Sequence, residues 1–169
     1  VQLIALPLFH TFGQTVQMNA TILCGGSMVL LVRFDPDAAL QAMQDHAVTI
    51  FCGVPTMYIG ILNLPGAEDR HDLGRIARHL RLGVSGGAAM PVAVLRQFEE
   101  KFGVIILEGF GLSETSPVAT FNHMECERLP GSIGQPIIGV EVAIMDEADQ
   151  QLPAGKDGEI VVRGHNVMK

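Results

Sequence analysis

The chain has 169 residues, 48% apolar and 17% charged, which excludes a disordered tail and leaves one domain with a buried core as the expectation. Eleven Lys and Arg against eighteen Asp and Glu give a formal net charge of −7. That excludes a sequence-independent nucleic-acid binder but not a local site for a small anion. Cys24, Cys52 and Cys126 form no C-x-x-C pair and read as buried reduced thiols, so a cytoplasmic setting is expected. No charged residue precedes Arg33, yet Gln2, Pro7, His10, Gln14, Gln17 and Asn19 interrupt the run too often for a membrane span. No basic stretch leads into it as in a signal peptide. The chain opens without Met and stops at Val167-Met168-Lys169 with no cap, so it reads as a piece of something longer.

Leu3 to Leu6 is a short apolar run. After Pro7 to Thr11, the spacing of Phe12, Val16, Ala20 and Leu23 predicts a helix with one apolar face, ended by Gly25-Gly26. Ser27 to Val32 reads as a buried strand. Asp35 as N-cap and Pro36 at the first helical position open a helix continued by Leu40, Met43 and Ala47. Val48 to Cys52 is the next strand, Gly53 to Thr56 turns into another helix, and Pro65-Gly66 stops it. Residues 67–79 are the most charged stretch, expected at the surface with Asp72 as a cap. Leu80 to Ser85 is a strand and Gly86-Gly87-Ala88 a tight turn. Pro91 opens a helix to about Phe102, with Val94, Leu95, Phe98 and Phe102 facing inward. Val104 to Leu107, apolar throughout, read as a strand covered on both faces.

Strand, turn and helix alternate, so the fold class is α/β: a mostly parallel sheet flanked by helices on both faces. Past Pro117 the rhythm changes. Val118 to Phe121, Val140 to Met145 and Glu159 to Arg163 are strands with no helices between them, expected to form an antiparallel tail attached to the sheet. Residues 1–117 are therefore taken as an α/β subdomain and 118–169 as the strand-rich start of the next.

In an open parallel sheet, ligands bind beyond the carboxyl ends of the strands. The turns Pro7 to Thr11, Gly53 to Thr56, Gly86 to Ala88 and Glu108 to Thr115 all fall there. Singly, each reads as no more than a tight turn after a strand; their convergence at one rim carries the information. Gly109-Phe110-Gly111 follows a strand as in a dinucleotide fingerprint, but Glu114 stands where the third glycine belongs. An acid there repels a bare phosphate and becomes useful if a divalent cation lies between the two. Ser113 can donate to a phosphate oxygen, and Phe110 can offer its face to a nucleobase. The same spacing fits a capping Ser/Glu pair with Phe110 packed inward, and spacing does not choose between the two. The six histidines do not cluster, and His123-x-x-Cys126 supplies only two ligands, so no structural metal is expected. His10, beside Phe9 and Phe12, reads as a partly buried histidine, with ligand gating as the alternative. Ser85 lacks a G-x-S-x-G context, and no Walker phosphate loop occurs.

Leu6-Pro7-Leu8-Phe9-His10, Gly53-Val54-Pro55-Thr56, Ser85-Gly86-Gly87-Ala88, Glu108 to Thr115 and Gly158 to Gly164 occur in this order. Together they resemble the adenylate-forming superfamily of acyl-CoA synthetases, luciferases and peptide-synthetase adenylation domains, most of all its fatty-acid–CoA ligases. The resemblance implies ATP and Mg²⁺ as cofactors, a carboxylic acid activated as acyl-adenylate, and CoA as acceptor. It implies that Gly86, Gly87, Ala88, Glu108, Gly109, Phe110 and Gly111 belong to the nucleotide site, with Phe110 stacked on the base. Ser113 would contact the α-phosphate and Glu114 would hold Mg²⁺. His10 would lie by the carboxylate of the acid, and Val54, Pro55, Thr56, Gly109 and Gly111 would border the acyl pocket.

The superfamily often has Tyr in place of Phe110 and Thr in place of Ser113; stacking and the hydroxyl survive both changes. Its Ser/Thr/Gly-rich phosphate loop, ribose-binding aspartate and catalytic lysine have no counterpart between Val1 and Lys169. The resemblance therefore implies a central fragment, inactive alone and prone to self-association through exposed sheet edges. Two other readings fit the same motifs: an acyl-AMP ligase or adenylation domain loading a carrier protein, and a non-catalytic nucleotide-binding module. Apolar pocket candidates such as Val54 and Met57 suit an alkyl or aryl acid over an amino acid, whose ammonium needs a charged partner.

Overall fold

Five short apolar runs pair in parallel: β1 (Gln2–Ile4), β2 (Met28–Leu30), β3 (Ile50–Gly53), β4 (Leu82–Ser85) and β5 (Ile105–Gly111). Their spatial order is β2-β1-β3-β4-β5. The computed structural model describes residues 1–169. β6 (Val118–Phe121) and β7 (Gln135–Pro136) extend the sheet antiparallel from β5, giving seven strands. The change of rhythm at Pro117 is thus a change from parallel to antiparallel pairing.

The helices are α1 (Ala20–Leu23), α2 (Pro36–Asp45), α3 (Pro55–Leu62), α4 (Ala67–Arg70), α5 (Leu73–His79) and α6 (Val92–Phe102). None is long and apolar enough to cross a membrane. The expected caps are present: Asp35 accepts from the Ala38 N–H at 2.9 Å and Asp72 from the Arg75 N–H at 2.8 Å. The charged stretch is at the surface only in part, because Ala67, His71 and Ile76 are buried. Asp37 on α2 accepts from Arg70 and His71, and the His71 hydrogen bond holds its carboxyl below the usual range.

Leu3, Phe51, Gly83 and Ile106 share one register row across four strands. They belong to a single apolar core with Leu40, Met43, Tyr58, Leu95, Phe98 and Phe102, apart from Gly83 itself. Gly83 leaves room for Tyr58: a Cβ there would lie 3.3 Å from the Tyr58 hydroxyl and 2.8 Å from Ile106. The Tyr58 ring meets Phe51 and Phe98 at centroid distances of 5.1 and 4.8 Å, and its hydroxyl donates to Val84 O at 2.8 Å.

Several expectations are corrected. Residues Phe12–Asn19 form a π-helical segment leading into α1, and its buried face is Gly13, Gln17 and Thr21. Leu23 is 88% exposed. The face is polar because Gln17 is hydrogen-bonded to the sheet, its Nε2 donating to Leu3 O and Cys52 O at 3.1 and 3.2 Å. Gly13 permits that approach, since a Cβ would lie 2.4 Å from Pro7 O. β2 is an edge strand and not a buried one, with Leu30 and Val32 exposed. In the run Val104 to Leu107, expected to be covered on both faces, Ile105 is exposed and the other three are buried. β8 (Val140–Met145) and β9 (Glu159–Gly164) pair only with each other, not with the large sheet. Pro136 has no N–H to extend the edge ladder, and Gly139, at φ +79°, turns the chain away. Of the cysteines, only Cys52 is buried, its thiol pushed up to about 12 by burial; Cys24 and Cys126 are exposed.

Candidate nucleotide and acyl site

β1, β3, β4 and β5 are adjacent and parallel, so their carboxyl ends emerge at one rim. An open cleft of about 180 Å³ lies there. His10 and Phe12 line it from the β1 side, Gly86 and Gly87 from the end of β4, and Gly109, Phe110 and Gly111 from β5. Ser113, Thr11, Ser85 and the β6 residues Val118 and Phe121 also line it. No Lys or Arg lines it.

The remaining sequence-predicted residues stand outside that lining. Val54 is the half-buried N-cap of α3, its Cγ1 3.3 Å from where a Cβ on Gly87 would be. Pro55 is buried at the first helical position, Thr56 is exposed, and Ala88 is exposed after Gly87. Glu114 is exposed beside Ser113. Glu108 is buried and turned away, its Oε2 accepting from the Gly131 N–H at 2.7 Å. Burial pushes its carboxyl above the usual glutamate range, against the pull of that N–H and of Arg128, with Glu99 adding to the rise.

The segment expected to turn from strand into helix does not. Gly109 to Gly111 stay in β5, paired antiparallel with β6 and bulged between Phe110 and Gly111. The glycines serve close packing: a Cβ on Gly109 would lie 2.4 Å from the Phe121 ring, and one on Gly111 1.8 Å from Pro117 O. Ser113–Thr115 make one 3₁₀ turn, so Glu114 is not at the start of a longer helix. Nor do Ser113 and Glu114 form a capping pair. Thr115, which the motif reading passed over, closes the loop: the Leu112 N–H donates to its Oγ1 at 3.0 Å, and that hydroxyl donates to Pro117 O at 2.6 Å. Its sequence signal was a Thr three residues after Leu112, the capping spacing displaced from Ser113. Phe110 is half-buried, its ring on the cleft instead of in the core.

His10 is exposed, and its Nδ1 accepts from the Phe12 N–H at 3.2 Å, so the neutral ring carries its proton on Nε2 as a donor. No three His, Cys, Asp or Glu side chains converge to cage a metal. A cation at Glu114 would take its other ligands from phosphate oxygens and water, as Mg²⁺ does beside nucleotides. The glycine walls, the Phe110 ring and the Ser113 hydroxyl fit a planar base followed by a phosphate.

Comparison with known proteins bears on family and fold. The family model "AMP-binding enzyme" matches residues 1–169. A long-chain-fatty-acid–CoA ligase of Bacillus subtilis is 42% identical over 165 residues, 97% of this chain and 29% of that protein. ATP-bound MatB from Rhodopseudomonas palustris superposes with a TM-score of 0.87 at 36% identity, over 98% of this chain and 32% of that one. The O-succinylbenzoate–CoA synthetase MenE of Bacillus subtilis, in complex with ATP and magnesium ion, gives 0.79 at 30% identity over 99% of this chain and 33% of that one. The chain thus spans about a third of the length of these relatives, two of which are named for different acids, a long-chain fatty acid and O-succinylbenzoate. The family match over the whole chain, the sequence identity and the superposition show that the chain belongs to the AMP-binding enzyme family, among its acyl-CoA ligases.

Proposed function

We propose that the chain is the central part of an ATP-dependent acyl-CoA synthetase. The complete enzyme would activate a carboxylic acid, a fatty acid in our reading, as acyl-adenylate and pass the acyl group to CoA. The observation that carries this is the meeting of Phe110, the Gly86-Gly87 backbone and Ser113 in one cleft, with Glu114 at its edge and His10 opposite. The adenine ring would lie on Phe110 against Gly86, Gly87 and Ala88, where two glycines and a single methyl group admit a flat base. The Ser113 hydroxyl would donate to the α-phosphate. His10 Nε2–H would donate to the carboxylate of the acid, orienting one oxygen toward the phosphorus. Val54, Pro55 and Thr56 would border the acyl chain beyond Gly109 and Gly111. Magnesium held by Glu114 would supply positive charge to the phosphates, compensating for a cleft without Lys or Arg. Glu108, spent on Gly131, would act by holding β5 and not by touching nucleotide. Residues 118–169 would open a second subdomain.

In the complete enzyme, Glu114→Ala is expected to slow adenylate formation by about a hundredfold or more, since metal-borne charge is worth roughly 3 kcal/mol or more in the transition state. The measurement is pyrophosphate release over a panel of carboxylic acids. A rate near wild type in saturating Mg²⁺ would reject the metal role, and a preference for short polar acids would reject the fatty-acid reading.

A further inference from the structure

The β8–β9 pair has no strand pairing with the large sheet, but the segment leaving β9 grips the site loop directly. Asn166 Nδ2 donates to Thr115 O at 2.9 Å and to Val118 O at 2.7 Å. Two residues on, the Met168 N–H donates to Glu114 O at 2.9 Å. These bonds clamp the loop between β5 and β6 from 48 and 51 residues away along the chain.

The chemistry constrains the clamp. Both partners are carbonyls, so both protons of one amide nitrogen are used; a carboxylate would present lone pairs to lone pairs, and a hydroxyl has one proton for two acceptors. Asn166 Oδ1 is buried without a partner, so the two donated bonds offset the burial of the amide. Gly164 admits the close approach, because a Cβ there would lie 2.9 Å from that Oδ1. Within the loop, Thr115 is buried and tied to Leu112 and Pro117, while Ser113 and Glu114 project outward, exposed. The turn that carries Ser113 into the cleft lining, with Glu114 exposed beside it, is therefore held by Thr115 from inside and by Asn166 from outside.

We propose that Asn166 is a positioning residue for nucleotide and metal use, holding the Ser113–Glu114 turn at its working height so that the site depends on the β8–β9 pair. This rests on the reading of Ser113 and Glu114 given above. The test compares Asn166→Asp and the milder Asn166→Ala with Glu114→Gln in the complete enzyme. Glu141→Ala serves as control: it removes an exposed ion pair with Arg163 on the same strand pair. Both Asn166 variants are expected to raise KM for ATP and half-saturation by Mg²⁺ about tenfold or more, as small misplacements of reacting groups do, with KM for the acid within about twofold. Amide exchange at Leu112, Thr115 and Ser116 should quicken while that of the large sheet stays unchanged. Kinetics of both Asn166 variants matching Glu141→Ala, beside a disabled Glu114→Gln, would overturn the inference alone. So would an equal loss for ATP and acid with exchange rising throughout. Wild-type kinetics for Glu114→Gln would overturn the reading of the site and this inference with it.

Discussion

Gly111 and Pro117 show how a residue chosen for one reason can serve another. A Cβ at position 111 would stand 1.8 Å from a backbone carbonyl, which no rotamer change relieves. Gly111→Ala is therefore expected to destabilise by about 1–3 kcal/mol or more, the cost of overpacking against fixed backbone, and to weaken ATP binding as the loop shifts. Urea titration beside ATP titration of the variant would check both. From its motif, Gly111 was legible as important but not for what reason, because the approach of Pro117 is a tertiary fact. Glu108 shows the converse: it lies in the motif, yet its carboxylate is occupied by Gly131, 23 residues on. Its pKa is raised in the fold, so ionising it penalises the folded state. The stability attached to it is complete below the ordinary glutamate value and is lost as pH rises through the raised one. Glu108→Gln keeps an acceptor for the Gly131 N–H and never ionises. It should match or exceed the wild type in urea midpoint at neutral pH, with the difference shrinking as the solution is acidified. A large loss at neutral pH would mean that the charge, and not the acceptor, is what matters.

At the scale of elements, what could be read in advance was what is encoded locally. α2 begins at Asp35-Pro36 and α5 after Asp72 because the cap and the first turn sit next to each other in sequence. α6 turns Leu95, Phe98 and Phe102 inward at helical spacing, and all three are fully buried. Phe98 joins Tyr58 and Phe102 at centroid distances of 4.8 and 4.6 Å, so its removal opens the middle of the core. Phe98→Ala is expected to cost about 3–5 kcal/mol, whereas Asp35→Ala, which loses one cap bond, should cost about 1 kcal/mol. Denaturant midpoints of the two variants test the ranking. The π-helical segment was misread because its inward residues are polar or small, and only the carbonyls of Leu3 and Cys52 explain why Gln17 is buried. β5 was misread at its end for a similar reason: Gly109 and Gly111 look like a turn until β6 is laid beside them.

At the scale of the whole molecule, the surface and the cleft set what the isolated chain can do. Phe9 is 92% exposed and Ile138 95%, and Leu30 and Val32 stand out on the edge strand β2 and just beyond it. Phe9, Leu30 and Val32 border one apolar groove of about 530 Å³ with Pro7 and Met57. Single exposed apolar residues are ordinary, but a continuous apolar groove beside an unpaired strand edge favours association. The net charge of −7 opposes this only weakly at physiological salt, where surface charges are screened beyond about 8 Å. The cleft, meanwhile, presents a base-sized apolar wall, the hydroxyl residues Thr11, Ser85 and Ser113, and no Lys or Arg to a triphosphate. Positioning can supply several kcal/mol of a barrier, and here little holds the β- and γ-phosphates in line with an incoming carboxylate. The isolated 169-residue chain is therefore expected to fold, to self-associate, and to release no pyrophosphate from ATP with Mg²⁺ and a fatty-acid panel. Light scattering should give a particle larger than the monomer that shrinks when Phe9 and Val32 are replaced by Ser, since these two side chains contribute to the groove without supporting the core. Steady turnover by the purified chain would mean that the cleft is sufficient by itself. A strictly monomeric particle at micromolar concentration would mean that the groove is too shallow to hold a second copy.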